Sequence, residues 1–181
     1  MSAAEAHPPT TGIPPCPECG YDYGRTTSDA ALHVITEGVA EAARLLVSAS
    51  PRVTRRPGPV VWSPLEYGAH VRDVLMVQRD RILLALVVDN PHFTPMYRDE
   101  RSRLARYDQE APEDVSAMLV SASGLLDWLA RGLETDQLAR PCIYNLPEPI
   151  SVDVGWVLVH TGHEVHHHLD DIGRGLGESG P

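Results

Sequence analysis

The chain has 181 residues, with 15 arginines, no lysine and 25 acids, a formal charge of −10. That length suits one domain with an appendage, and a hydrophobic fraction of 43% is that of a globular protein with a sizeable core. The acidic balance argues against a nucleic-acid backbone binder, and the longest apolar run, Ile82 to Val88, falls far short of the ~20 residues a membrane span needs.

The Ala/Pro/Thr-rich start has neither a basic segment nor an apolar one, so it does not read as a secretory leader and a cytoplasmic protein is expected. Residues 1–27 hold five prolines and Cys16-Pro17-Glu18-Cys19-Gly20, which reads as an extended arm with a tight turn. From Ser28 to Ser50, Leu32, Ile35, Val39, Ala42 and Leu46 recur at helical steps. A proline- and arginine-containing loop follows over 51–62. Ser63-Pro64-Leu65-Glu66 then has the cap, first-turn proline and third-position glutamate of a capping box, opening a helix to about Asp89. Residues 91–110 are polar, with a short helix expected around Arg101 to Tyr107. A third long helix starts at Pro112-Glu113-Asp114 and runs to about Leu133. Residues 141–150 contain three prolines and read as a loop, and a last helix is expected from Ser151 to Arg174, ended by glycines. No strand is evident. The pattern is all-α: a four-helix bundle over 28–175, the extended arm before it, and a flexible tail over 176–181.

Histidine is the anomaly. Five of the nine, His160, His163, His166, His167 and His168, lie within nine positions of the last helix. Val154, Leu158, Val165, Leu169 and Ile172 take one face of that helix, while Trp156, His160, His163 and His167 fall nearly opposite, either solvated or lining a groove. His163 and His167 are one turn apart, a spacing at which two imidazoles share one metal. The segment also matches H-E-x-x-H, but no third ligand follows it as in zinc proteases. The upstream candidate is His70, two turns into the capped helix, and histidines on facing helices are how bundles build metal sites. His160 is the competing ligand and is expected to lie behind the site or exposed.

Glu66-x-x-x-His70-x-x-Asp73, and Gly162 to Ile172 with its H-x-x-x-H followed by His and Asp, resemble the DinB superfamily. The likeness is to its bacterial metal-binding members and to the N-terminal domain of mycothiol-dependent maleylpyruvate isomerases. The resemblance covers about residues 28–175. It implies a four-helix bundle, one divalent metal held by His70, His163 and His167, and a homodimer. It also implies thiol-dependent chemistry, with mycothiol as co-substrate.

Three neutral imidazoles leave a cation its full charge and an open position, so a bound water or thiol would lose its proton near neutral pH. Zinc or nickel suits such ligands. Glu164, Asp73 and Glu66 are the acid/base candidates, although Glu66 also fits the capping box and Glu164 could orient an imidazole. The expected function is transfer of a low-molecular-weight thiol to a small electrophilic substrate. The alternatives are a metal-dependent small-molecule hydrolase or lyase, and a non-catalytic metal-binding stress protein. Cys16 and Cys19 form half of a zinc knuckle, a possible second zinc site, for which Cys142, His33 and His7 are the remaining ligand candidates.

Overall fold

The structure, a computed structural model, describes residues 13–145 and 148–177. His7 and most of the expected tail lie outside the described residues. Four long helices make the bundle: α1 (Ser28–Leu46), α2 (Pro64–Val87), α4 (Pro112–Ala130) and α6 (Val154–Leu176). Short elements join them: α3 (Arg98–Ala105), a 3-10 turn (Tyr107–Gln109), α5 (Thr135–Leu138), and a hairpin of β1 (Pro141–Asn145) and β2 (Pro149–Asp153). Both α4 and α6 pack against α1 and α2, so α1 lies diagonally across from α2 and α4 from α6. The core is aliphatic, with Ile35, Leu75, Leu119, Leu126, Leu158 and Ile172 fully buried. None of the described helices is long and apolar enough to cross a membrane.

The hairpin corrects the sequence reading, which had a loop over 141–150 and a helix from Ser151. Pro141 pairs with Asp153 and Asn145 with Pro149 in antiparallel register, and Cys142, Tyr144 and Val152 turn inward at alternate positions. The helix begins after Asp153, whose carboxylate accepts from the Trp156 backbone N–H at 2.7 Å. Helix α2 starts as the capping box requires: Ser63 Oγ accepts from the Glu66 N–H, and Glu66 Oε2 accepts from the Ser63 N–H at 2.9 Å.

Helix α6 has three differently occupied faces. Gly38 of α1 packs on Val165, and a Cβ there would stand 2.7 Å from the valine side chain. The α2 side meets His168, which lies against Tyr67 and His70. The third face, the one expected to be solvated or grooved, is covered by the N-terminal arm. Tyr21 and Tyr23 are buried there, and Tyr21 Oη donates to the Val159 carbonyl at 2.9 Å.

Candidate metal centre

The two faces of α6 away from α1 carry ligand-type side chains in two clusters that share no residue, joined by two further groups, His160–His163–Glu164 and His167–His168–Asp171. Toward α2, His70, Glu164 and His168 converge, with one potential ligand atom from each inside a 4.8 Å span. Toward the arm, Cys16, Cys19, His163 and His167 do the same. The expected triad of His70, His163 and His167 is therefore regrouped. Successive helical residues are about 100° apart, so the 163/167 pair and the 164/168 pair face different neighbours. It is the 164/168 pair that faces α2.

In the first cluster, Glu164 Oε2 lies 3.9 Å from His70 Nε2 and 3.7 Å from His168 Nε2. These separations are too long for hydrogen bonds. They are slightly wider than the roughly 3.3 Å between nitrogen or oxygen ligands around a tetrahedral zinc. His168 Nδ1 stands 2.8 Å from Asp171 Oδ2. An N–H there donates to the carboxylate and leaves the Nε2 lone pair facing Glu164, the carboxylate–histidine arrangement that orients metal ligands. His70 is 2% exposed, and its Nδ1 has no hydrogen-bond partner. The nitrogen turned toward Glu164 is the other one, Nε2. The residues present thus fit a divalent cation by the chemistry of the donor set: two imidazoles with Nε2 turned to one carboxylate.

Charge follows the geometry. Burial opposes ionisation of Glu164, but His163, His160, His168 and His70 around it outweigh that and hold its carboxyl well below the usual range. Burial, reinforced by neighbouring His168, pushes His70 down to about 4, so near neutral pH it presents a lone pair. Glu164 Oε1 points the other way, 3.7 Å from both His160 Nε2 and His163 Nδ1.

Glu66 and Asp73 are engaged by the scaffold. Both Glu66 oxygens accept from Arg56, and Oε2 also from Ser63. Asp73 Oδ2 accepts from Tyr107 Oη at 2.6 Å, and Oδ1 accepts from Arg72. His160 is buried behind the cluster, stacked on Trp156 with its Nδ1 2.7 Å from Tyr23 Oη.

A polar cavity of about 210 Å³ opens beside the cluster, lined by Trp62, Tyr67, Arg98, His167, His168 and Asp171 among others. Tyr67 stacks on His168, and the Arg98 guanidinium lies 5.7 Å above the Trp62 ring. Neither Arg98 nor His168 was singled out from the sequence as a site residue. Asp171, three residues after His168, is the signal that distinguishes His168 within the histidine run.

In the second cluster, Cys16 Sγ is 3.8 Å from His167 Nδ1. Burial raises the Cys16 thiol, but backbone N–H groups of Cys19 and Glu18 and the side chain of His163 outweigh it and bring it to about 6. Cys19 is pushed up to about 11, by burial first and by Cys16 beside it. Cys142 is fully buried in the hairpin and His33 pairs with Glu37 on the exposed side of α1. Of the companions expected for the Cys16–Cys19 turn, neither of these two is in the cluster, and His7 lies outside the described residues.

A four-helix bundle with histidines and a carboxylate converging from α2 and α6 defines a metal-site helical protein. The sequence model of the DinB superfamily matches residues 22–172, and the chain belongs to that superfamily. Two solved structures share its fold. One is YfiT from Bacillus subtilis, described as a probable metal-dependent hydrolase with an unusual four-helix bundle topology. It is 20% identical over 84% of this chain and 89% of that one, with a TM-score of 0.68. The other is a mycothiol-dependent maleylpyruvate isomerase, 17% identical, with a TM-score of 0.66 over 83% of this chain. This chain spans only 62% of that isomerase. A comparison with curated protein sequences found no match.

Proposed function

We propose that the chain is a metal-dependent enzyme that activates water against a small polar substrate held in the cavity beside His168. The observation that carries this reading is the His70–Glu164–His168 cluster, three converging ligand groups of which His168 also lines a polar cavity. Two imidazoles and a carboxylate are the ligand set of several zinc hydrolases, in which the remaining position is left for water or substrate. A divalent cation bound there supplies a Lewis acid that lowers the pKa of a coordinated water and polarises a carbonyl.

The chain's own residues do the rest. Asp171 fixes the tautomer of His168, and the buried setting of His70 keeps it neutral, with a lone pair to offer a cation. Glu164 supplies the negative charge. Arg98 on the cavity wall suits a carboxylate or similar anion on the substrate, while Trp62 and Tyr67 shape the walls. Glu66 and Asp73 act as positioning residues: the first fastens the start of α2, the second ties α2 to Tyr107. The cavity is smaller than the roughly 300–1,000 Å³ of common ligand pockets. That favours water and a small substrate over a bulky thiol and its acceptor together.

Thiol transfer is the second reading, favoured by the shared fold with the mycothiol-dependent isomerase. The test is turnover of a panel of small carboxylate-bearing esters, amides and electrophilic enoic acids. It compares zinc- or nickel-loaded wild type, chelated protein, and the His70→Ala and Arg98→Ala variants, each with and without mycothiol. Metal-dependent product without thiol supports water activation, with Arg98→Ala raising KM more than it lowers kcat. Product that needs both metal and thiol moves the assignment to thiol transfer. Equal background rates in all samples would sink both.

A further inference from the structure

We propose that Cys16, Cys19, His163 and His167 form a second, closed metal site that binds zinc and staples the N-terminal arm to α6. The site shares no ligand with the His70–Glu164–His168 cluster, which it adjoins through His163 and His167, and its two cysteines precede the family match, which begins at residue 22.

The ligand chemistry is that of structural zinc. Two sulfurs and two imidazole nitrogens within one 4.8 Å span make a tetrahedral S2N2 set with no position left for substrate. The 3.8 Å between Cys16 Sγ and His167 Nδ1 is close to the roughly 3.6 Å separating sulfur and nitrogen ligands on a tetrahedral zinc. His163 Nε2 is buried with no hydrogen-bond partner. Trp156 Nε1 on the same helix is also without a partner, but only His163 Nε2 belongs to a group of converging ligand atoms.

The surroundings are arranged for the same purpose. The Cys16-Pro-Glu-Cys19-Gly turn is closed by the Gly20 N–H donating to the Cys16 carbonyl at 2.8 Å and the Cys16 N–H donating to the Tyr21 carbonyl at 2.9 Å. Gly20 sits at φ +73°, where a side chain would be strained, so the glycine after the second cysteine is what lets the knuckle turn back. His163 is held by its other nitrogen, and His167 has two carboxylates near its own. His163 Nδ1 lies 2.9 Å from Tyr23 Oη, and His167 Nε2 lies 3.6 Å from Glu18 and 3.7 Å from Asp171. The Tyr23 hydroxyl orients the His163 ring from behind, and the carboxylates near His167 are the kind of partner found around metal-bound imidazoles.

A short proline-rich arm has few hydrophobic contacts of its own; Tyr21 and Tyr23 are its buried anchors. Zinc would supply the remaining hold and set where Glu18 stands on the cavity wall.

The test uses the full chain, purified reduced and without a histidine tag, and loaded with cobalt(II) in place of zinc. Wild type is expected to show thiolate-to-cobalt charge-transfer bands and intense tetrahedral d–d bands, and to bind one more zinc equivalent than Cys16→Ser/Cys19→Ser. His70→Ala keeps the bands, while His163→Gln and the double cysteine variant lose them with helical circular dichroism retained. Trypsin cleavage after the exposed Arg25 should rise about tenfold or more when the zinc is withdrawn, as for any segment freed from a local restraint. Wild-type cobalt protein without thiolate bands overturns the site, whatever the variants do. So does a double cysteine variant that keeps the wild-type zinc content, or a Cys16–Cys19 disulfide in protein purified without oxygen.

Discussion

Asp171 decides which nitrogen His168 presents to Glu164, and its own carboxyl shows the bond. Burial would raise it, but His168 and Arg174 outweigh that and hold it below its ordinary value. Asp171→Asn keeps the shape and loses the charge behind the imidazole. It should weaken metal binding at the His70 cluster by about 10–100-fold, read by competition with a chelating indicator; unchanged affinity would remove Asp171 from that role. The sequence holds two overlapping pairs one turn apart, 163/167 and 164/168, and spacing alone cannot choose between them. What chooses is the rotation of α6, fixed by Gly38 against Val165 and by the arm over the opposite face. His160 sits where the two clusters meet. Its Nδ1 shares Tyr23 Oη with His163 Nδ1, so a proton donated by His163 to Tyr23 lets Tyr23 donate to His160. Burial holds His160 down to about 4 despite the opposing pull of Glu164. In the unfolded chain it titrates near 6.5, so the contribution of keeping it neutral is complete above that pH. It is lost progressively as pH falls toward about 4, by up to about 3 kcal/mol. Urea unfolding of metal-free protein between about pH 7.5 and about pH 4.5 should show that loss, smaller in His160→Gln. Parallel pH profiles for the two proteins would contradict it.

At the scale of elements, the long helices were legible from their period and stop signals, although α4 has no side-chain cap and α6 starts after Asp153 rather than at Ser151. Ser63, Pro64 and Glu66 announce α2, and the structure makes the reciprocal bonds they imply. The β1–β2 hairpin was not legible. Its strands are five residues each, begin with prolines, and alternate inward only through Cys142, Tyr144 and Val152, too little for a period-two signal to stand above the turn residues. The packing of the arm was hidden too, since Tyr21 and Tyr23 acquire their burial only against α6. Gly162 is the residue that allows this approach. A Cβ there would stand 2.6 Å from Tyr21 Oη and 3.2 Å from the Ala31 Cβ, with the tyrosine tied to the Val159 carbonyl. Gly162→Ala should therefore destabilise by about 1–3 kcal/mol, the range for overpacking a closed contact. Gly173→Ala, on the same helix with nothing within 4 Å of the added atom, should stabilise by about 0.5–1 kcal/mol. Thermal unfolding of both variants checks the pair. A Gly162→Ala protein as stable as wild type would mean that Tyr21 does not hold the arm in this position.

For the whole molecule, the charge of −10 and the uneven distribution of apolar surface act in opposition. The core closes on itself, yet the outer side of α4 leaves Met118, Leu125 and Trp128 exposed, Trp128 at 85%. Single exposed hydrophobics are ordinary, but these three recur at helical spacing, and a tryptophan so exposed is unusual for a monomer surface. A homodimer, expected from the family resemblance, would find a seam there, α4 against α4 of a second copy. A stable interface buries about 800 Å² per partner around such an aromatic anchor. Two acidic copies repel, so added salt should strengthen the association, the reverse of a contact held by ion pairs. Sedimentation at micromolar concentration should give a dimer for wild type and a monomer for Trp128→Glu. Metal content should be unchanged, since the substitution lies on the face of α4 away from α6. A monomeric wild type at moderate salt, or a Trp128→Glu protein that stays dimeric, would remove α4 as the seam.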